Sequence, residues 1–182
     1  TGTAHAYNVA IGGETLMETS QSSQTAVGFR ALRLATSGQH NTAVGYESME
    51  KIVTGDQNSC FGKYAGKEIT SGYNNNLHGH EAGKNINSGY GNNCLGKDAG
   101  DTITGGYNNI CIGTNANPSA AGAEYQYIFG HDISGPGDNH AMFGRGGSGY
   151  WKLSHTVNTG WVFVSDERIK KNIQNDTLGL EF

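Results

Sequence analysis

The chain has 182 residues, enough for one or two ordinary domains, but 29 glycines, two prolines and an apolar fraction of 35 % do not describe an ordinary one. A formal charge of −4 with no basic run leaves a nucleic-acid partner without an electrostatic footprint, and no stretch approaches the ~18 apolar residues of a membrane-spanning helix. Collagen is excluded because glycine does not fall at every third position, and disorder because the net charge is low.

From Asn8 onward one glycine recurs at Gly12, Gly28, Gly45, Gly62, Gly79, Gly96 and Gly113, in one step of 16 and five of 17. A second series, Gly38, Gly55, Gly72, Gly89 and Gly106, keeps the interval of 17. Four residues before each glycine of the first series stands Asn8, Gln24, Asn41, Asn58, Asn75, Asn92 or Asn109. Phase-locked self-similarity of this kind is the signature of a repeat architecture.

Each column of the repeat has a physical reading. The residue before the first glycine (Ile11, Val27, Val44, Phe61, His78, Leu95, Ile112) reads as a core position interrupted by His78. Two before the glycine lie Ala10, Ala26, Ala43, Cys60, Leu77, Cys94 and Cys111, mostly small and of buried type. Three after it lie Thr15, Ala31, Ser48, Ala65, Ala82, Ala99 and Ala116, again small. Ile52, Ile69, Ile86 and Ile103 form a further apolar column, each ahead of a turn such as Thr70–Asn74.

The unit is too short for two helices and carries no helical apolar stripe. It predicts a short strand, a tight glycine corner, a second short strand and an Asn-Gly turn. Stacked units bury in common a core that none could bury alone. The expected fold is therefore an all-β parallel solenoid of 17-residue units over residues 1–117, its seven coils spanning roughly 33 Å. The step of 16 predicts a deletion in the Gln21–Ser23 turn. So thin a core leaves a face uncovered, which predicts an intertwined homotrimer.

Cys60, Cys94 and Cys111 share one column, and three is an odd number. They read as small buried residues in place of alanine rather than as a disulfide framework. An ice-binding surface would need a regular threonine ladder, and the column Val9, Thr25, Thr42, Ser59, Asn76, Asn93, Ile110 is not one.

Asn8–Gly12 and Asn41–Gly45 resemble the head repeats of trimeric autotransporter adhesins, which form left-handed parallel β-rolls as trimers. The longer unit found here, with its Ala-Gly and Ser-Gly-Tyr-Asn-Asn elements, is similar to repeats in viral tail fibres. The resemblance covers about residues 8–116.

His78 and His80 flank a glycine, and residues two apart on a strand face the same way. On a threefold axis they would supply six imidazoles, an octahedral transition-metal site. Similar His-x-His motifs bind iron in some of the fibres the chain resembles. The plainer expectation, which takes precedence, is a polar ladder at His78, His80 in solvent and no cofactor.

After Pro118 the period is expected to stop. Residues 118–164 carry alternating apolar runs at Tyr125–Phe129, Ala141–Phe143, Tyr150–Leu153 and Trp161–Val164, separated by glycine-rich turns, and predict a small β-meander tip. Gly144–Gly149 matches a dinucleotide-loop spacing, but a strand-like run follows where a helix is required. Asp132 and Asp138 read as turn residues rather than as an acid pair. Tyr150, Trp151 and Trp161 are the candidate receptor contacts, amphipathic rings suited to glycans.

The last segment, 165–182, opens Ser165-Asp166-Glu167-Arg168-Ile169-Lys170-Lys171-Asn172-Ile173. Read locally, Ser-Asp-Glu is a helix cap. The motif resembles the start of the intramolecular chaperone of phage tail spikes and fibres, the peptidase S74 family, which trimerises the fibre and then cuts itself off before the serine. The resemblance implies a scissile Val164–Ser165 bond, Ser165 as nucleophile and Lys170 as the base that activates it. Only 18 residues follow Val164, so a truncated chaperone is expected, with no enzymatic activity from the fragment itself. The chain opens on Thr1, which likewise suggests a fragment.

Taken together, these resemblances imply a segment of a homotrimeric viral (bacteriophage) tail fibre on the virion. It would mediate host attachment through a cell-surface glycan or protein receptor, without nucleic acid or membrane insertion. The alternative is the head of a bacterial trimeric surface adhesin.

Overall fold

A computed structural model describes residues 7–17 and 23–154, together with the backbone of 162–164. Among these residues the protein is all β. Seven three-residue strands recur along the repeat: β1 (Val9–Ile11), β2 (Thr25–Val27), β3 (Thr42–Val44), β4 (Ser59–Phe61), β5 (Asn76–His78), β6 (Asn93–Leu95) and β7 (Ile110–Ile112). They are followed by β8 (Ala116–Asn117), β9 (Tyr127–His131), β10 (Ile133–Ser134), β11 (His140–Arg145), β12 (Tyr150–Ser154) and β13 (Val162–Val164).

One long sheet runs β1-β2-β3-β4-β5-β6-β7-β9-β11-β12-β13, and β8 and β10 pair separately. From β1 to β11 every pairing is parallel. Like residues sit opposite like residues, as in Cys60↔Leu77 and Leu77↔Cys94. This is a parallel β-solenoid of about eight turns.

The period does not stop after Asn117-Pro118. Strand β9 pairs with β7 through Ile110↔Tyr127 and Ile112↔Phe129, one more step of 17. Then β11 stacks on β9 through Ala141↔Tyr127, a step of 14. Only β11-β12-β13 form the antiparallel meander expected for the tip. The meander is a continuation of the solenoid's own sheet.

The second short strand forms only in the last two coils, as β8 and β10, and is absent from the coils of β2 to β6 among the described residues. Two residues after the glycine the backbone turns left-handed, at Glu47 (φ 51), Tyr64 (φ 62) and Glu81 (φ 58), and two further on it does so again at Met49 (φ 48), Gly66 (φ 58) and Gly83 (φ 54). An extended pleat cannot pass through such corners. Hydrogen bonds between coils persist across them. The Gly66 N–H donates to the Ala82 carbonyl of the following coil at 3.0 Å, and the Tyr64 N–H to the Tyr46 carbonyl of the preceding one at 2.9 Å.

Inside, three columns fill the core. Ala26, Ala43, Cys60, Leu77, Cys94, Cys111 and Ile128 are buried at the strand centres. Ala31, Ser48, Ala65, Ala82, Ala99 and Ala116 are buried after the corner, and Ile52, Ile69, Ile86 and Ile103 opposite them. Each isoleucine or leucine contributes about 1.5–3 kcal/mol on burial. The column before the glycine, expected in the core, lies on the outside instead. Alternation on a three-residue strand gives the reason: with the central side chain pointing in, both neighbours must point out.

At the corner itself glycine is obligatory. Gly62 has φ 143, and a Cβ there would strike the carbonyl of Gly79 in the next coil. Only glycine tolerates both the torsion and the approach.

The buried polar column is a ladder. The Asn58 side-chain oxygen accepts from the Asn75 backbone N–H at 3.1 Å and from its side-chain amide at 3.0 Å. That amide also donates to the Gly89 carbonyl at 2.8 Å. The same pattern repeats through Asn92 and Asn109. Glutamine, one carbon longer, occupies the column at Gln24, one coil after Asn8, and at its far end at Gln126. Gln24 bonds Gly38 and accepts from the Asn41 N–H at 3.2 Å, while Gln126 reaches Ser119 and Asp138.

Candidate functional site

Two surfaces combine exposure with unused chemistry: the outer face of the long sheet, and a pocket beside the meander.

On the outer face the column before each glycine forms an apolar strip. Ile11 is 60 % exposed and Leu95 52 %, with Phe61, Ile112 and Phe143 also exposed. Its rings adjoin one another along the solenoid axis. Phe61 and His78 lie 4.7 Å apart, and Phe129 and Phe143 lie 4.6 Å apart with planes within 5°. Trp151, paired across strands with Phe143 and 49 % exposed, prolongs the strip. A groove of about 200 Å³ crosses it, lined by Asn76, His78, Asn93, Cys94, Leu95 and Ile112. The His78 Nε2 is buried there with no hydrogen-bond partner among the described residues.

His80 does not share this face. Strand β5 ends at His78, and Gly79, at φ 144, turns the chain before His80. The His80 ring stands 6.4 Å from Tyr64, with Nδ1 3.9 Å from an Asp98 oxygen and Nε2 3.8 Å from Glu81. The period-two rule that would align the two histidines therefore does not reach His80. Among the described residues no group of three or more His, Cys, Asp or Glu side chains could hold a metal ion.

The side of the coil that follows the glycine carries a charge network. Glu47 and Glu50 are nearly enclosed, and Lys67 bridges them at 2.5 and 3.5 Å. Arg30 lies 3.9 Å from Glu47, and Arg33 lies 3.4 Å from Glu50. Burial pushes the Glu47 carboxyl up, but hydrogen bonds from Lys67 and Tyr46 and the nearby cations outweigh it and hold it below the usual carboxylate range. The hydrogen bond to Glu47 in turn raises Lys67.

A further column stacks Tyr73, Tyr90 and Tyr107 at 4.8 Å with planes within 2°, and Tyr125 closes it edge-on at 5.5 Å. The Tyr107 hydroxyl is pushed up to about 12 by its hydrogen bond to Glu124, with burial adding to the effect.

The pocket lies between the β9–β10 corner and the β11–β12 hairpin. It holds about 310 Å³ and is lined by Asp132, Ile133, Ser134, Met142, Arg145, Gly146, Gly147, Ser148 and Tyr150. Gly146 lets the hairpin approach the corner, where its N–H donates to the His131 carbonyl at 2.9 Å. Gly144 leaves room for Tyr150 directly across the strand pair.

The structure separates the aromatic candidates. Tyr150 packs partly against the core and lines the pocket, whereas its neighbour Trp151 faces the apolar strip on the other side of the sheet. Trp161, Ser165 and Lys170 lie outside the described residues. Of Val164 only the backbone is described, paired with Tyr150 at the end of β13.

The remaining readings are structural. Cys60, Cys94 and Cys111 are buried free thiols. Burial pushes Cys60 well up, and Cys94 is raised by its hydrogen bond with Cys111, then by burial. The Gly144–Gly149 run is the β11–β12 hairpin, with strand β12 after it. Asp138 accepts from the Glu124 N–H and the Gln126 amide, each at 2.9 Å, and these two bonds hold its carboxyl low.

Comparison with protein-family models, with curated proteins and with solved structures finds no match to this chain.

Proposed function

We propose that the chain is a length of homotrimeric viral tail fibre, its solenoid a shaft and its C-terminal meander part of a host-attachment tip. The observation that carries the reading is the apolar strip through Ile11, Phe61, Leu95 and Ile112, running along the outer face of the sheet with His78 its one polar member. Exposed apolar ladders of this length mark an interface. Three parallel copies facing a common axis would cover the strip with like residues of the other chains, a closed arrangement that leaves no further edge. The resemblance of Ser165–Ile173 to the start of a tail-fibre chaperone supports a fibre rather than a cell-anchored adhesin.

Sedimentation equilibrium tests the assembly. A mass three times that of the chain is expected, and a monomer at micromolar concentration overturns the reading. Self-cleavage is tested by extending the gene through a complete chaperone and comparing Ser165→Ala. The unchanged protein is expected to shorten at Val164–Ser165, and identical product sizes would remove Ser165 from its assigned role.

A further inference from the structure

We infer that the pocket between the β9–β10 corner and the β11–β12 hairpin binds one carboxylate-bearing sugar ring. At about 310 Å³ it lies at the lower end of the range for ligand pockets, roughly 300–1,000 Å³, so it suits a single ring rather than an extended ligand. Its composition has two sides. Ile133 and Met142 are buried and make an apolar floor, and Tyr150 adds an aromatic wall. Ser134, Ser148, Asp132 and Arg145 make a polar rim. A pyranose ring has the matching pair of surfaces, an apolar face of C–H groups and a perimeter of hydroxyls.

Charge decides between neutral and acidic sugars. The Asp132 carboxylate is already engaged: one oxygen lies 3.0 Å from the His131 Nδ1, and the other accepts from the Asn115 amide at 3.1 Å. Arg145 forms no ion pair among the described residues and is exposed at the mouth. The group on the wall with unmatched hydrogen-bonding capacity is therefore a guanidinium, whose planar fork matches a carboxylate in two parallel hydrogen bonds. The hairpin that carries it is held in place by the Gly146–His131 bond, so the arginine is presented on a fixed support.

The inference deepens the attachment reading and relies on it for one choice, sugars over other carboxylates. The test is a titration of the whole chain with glucuronate and with glucose, followed by NMR or calorimetry. Glucuronate is expected to bind at least about tenfold more tightly than glucose, as the charge-assisted bond requires. Arg145→Gln is expected to abolish that preference and leave the melting midpoint unchanged, since the side chain is exposed. Ser148→Ala, on the same rim, is expected to weaken both sugars together. No binding of glucuronate, equal affinity for the two sugars, or an unaltered preference in Arg145→Gln would overturn the proposal. Its failure with a trimeric mass leaves the fibre standing, while a monomeric mass sinks the fibre whatever the pocket binds.

Discussion

The side-chain oxygen of Asn75 accepts two hydrogen bonds from Asn92, from its backbone N–H at 3.1 Å and from its side-chain amide at 3.0 Å. Both residues are buried. Asn75→Ala therefore leaves both Asn92 groups and the Gly89 carbonyl short of a partner. At about 1–3 kcal/mol for each orphaned buried group, a loss of about 3 kcal/mol or more is expected in urea denaturation. Asn75→Asp should be no milder, because a carboxylate would face the Asn58 oxygen and the Gly89 carbonyl. A loss below about 0.5 kcal/mol would show the ladder to be ornamental.

Leu77 and Leu95 are the same residue on neighbouring coils with opposite prospects. Leu77 is 0 % exposed at a strand centre, and Leu77→Ala should cost about 2–5 kcal/mol of chain stability. Leu95 points outward, so Leu95→Asp should scarcely alter the folded coil, within about 0.5 kcal/mol, as at other surface positions. On the proposed assembly it would instead dissociate the trimer, read as a fall in sedimenting mass. A trimeric Leu95→Asp protein would place the contact between chains elsewhere.

Gly62→Ala tests the corner. Alanine at φ 143 is strained by about 1–3 kcal/mol, and its methyl group must also push back the Gly79 carbonyl. The expected result is a large drop in melting midpoint. Gly122→Ala, where an added Cβ meets nothing within 4 Å, should be nearly silent.

The Glu47–Lys67 pair sets a pH window. The folded Glu47 carboxyl lies below its ordinary value, so its contribution is complete above that value and disappears as pH falls through the depressed one. Lys67 is raised, so its share is complete below the ordinary lysine value and is lost as pH rises through the raised one. The melting midpoint should fall on acidification below about pH 4. Glu47→Gln should lower the neutral-pH midpoint and flatten that acid slope; an unchanged slope would exclude Glu47 from it.

Much of the fold is legible in the sequence because ladders make spacing and contact the same thing. An interval of 17 is at once the repeat and the strand register, so Cys60, Leu77 and Cys94 could be placed beside one another from position alone. The eighth coil was equally legible. Gly130 stands 17 after Gly113, with Gln126 four residues before it just as Gln24 precedes Gly28, but the glutamine and the aromatic neighbours masked the match. What position could not give was direction. Phe61 and Leu95 look like core by composition, and only the inward Cys60 and Cys94 beside them show that they point out. The left-handed corners at Glu47, Tyr64 and Glu81 carry no turn residues, since hydrogen bonds between coils impose the torsion there. The pocket joins residues from three elements and has no sequence period at all.

The glutamines at Gln24 and Gln126 carry one last implication. Between them every coil offers its neighbours the same sockets, so the solenoid behaves as a ruler graduated in strand spacings of about 4.8 Å. Removing or duplicating 17 residues within the asparagine run changes its reach by one graduation and leaves each ladder continuous. At Gln24 the longer amide still reaches the carbonyl 14 residues on, as each asparagine does, and its N–H meets the Asn8 oxygen; at Gln126 the amide turns instead to Ser119 and Asp138, and there the graduations end.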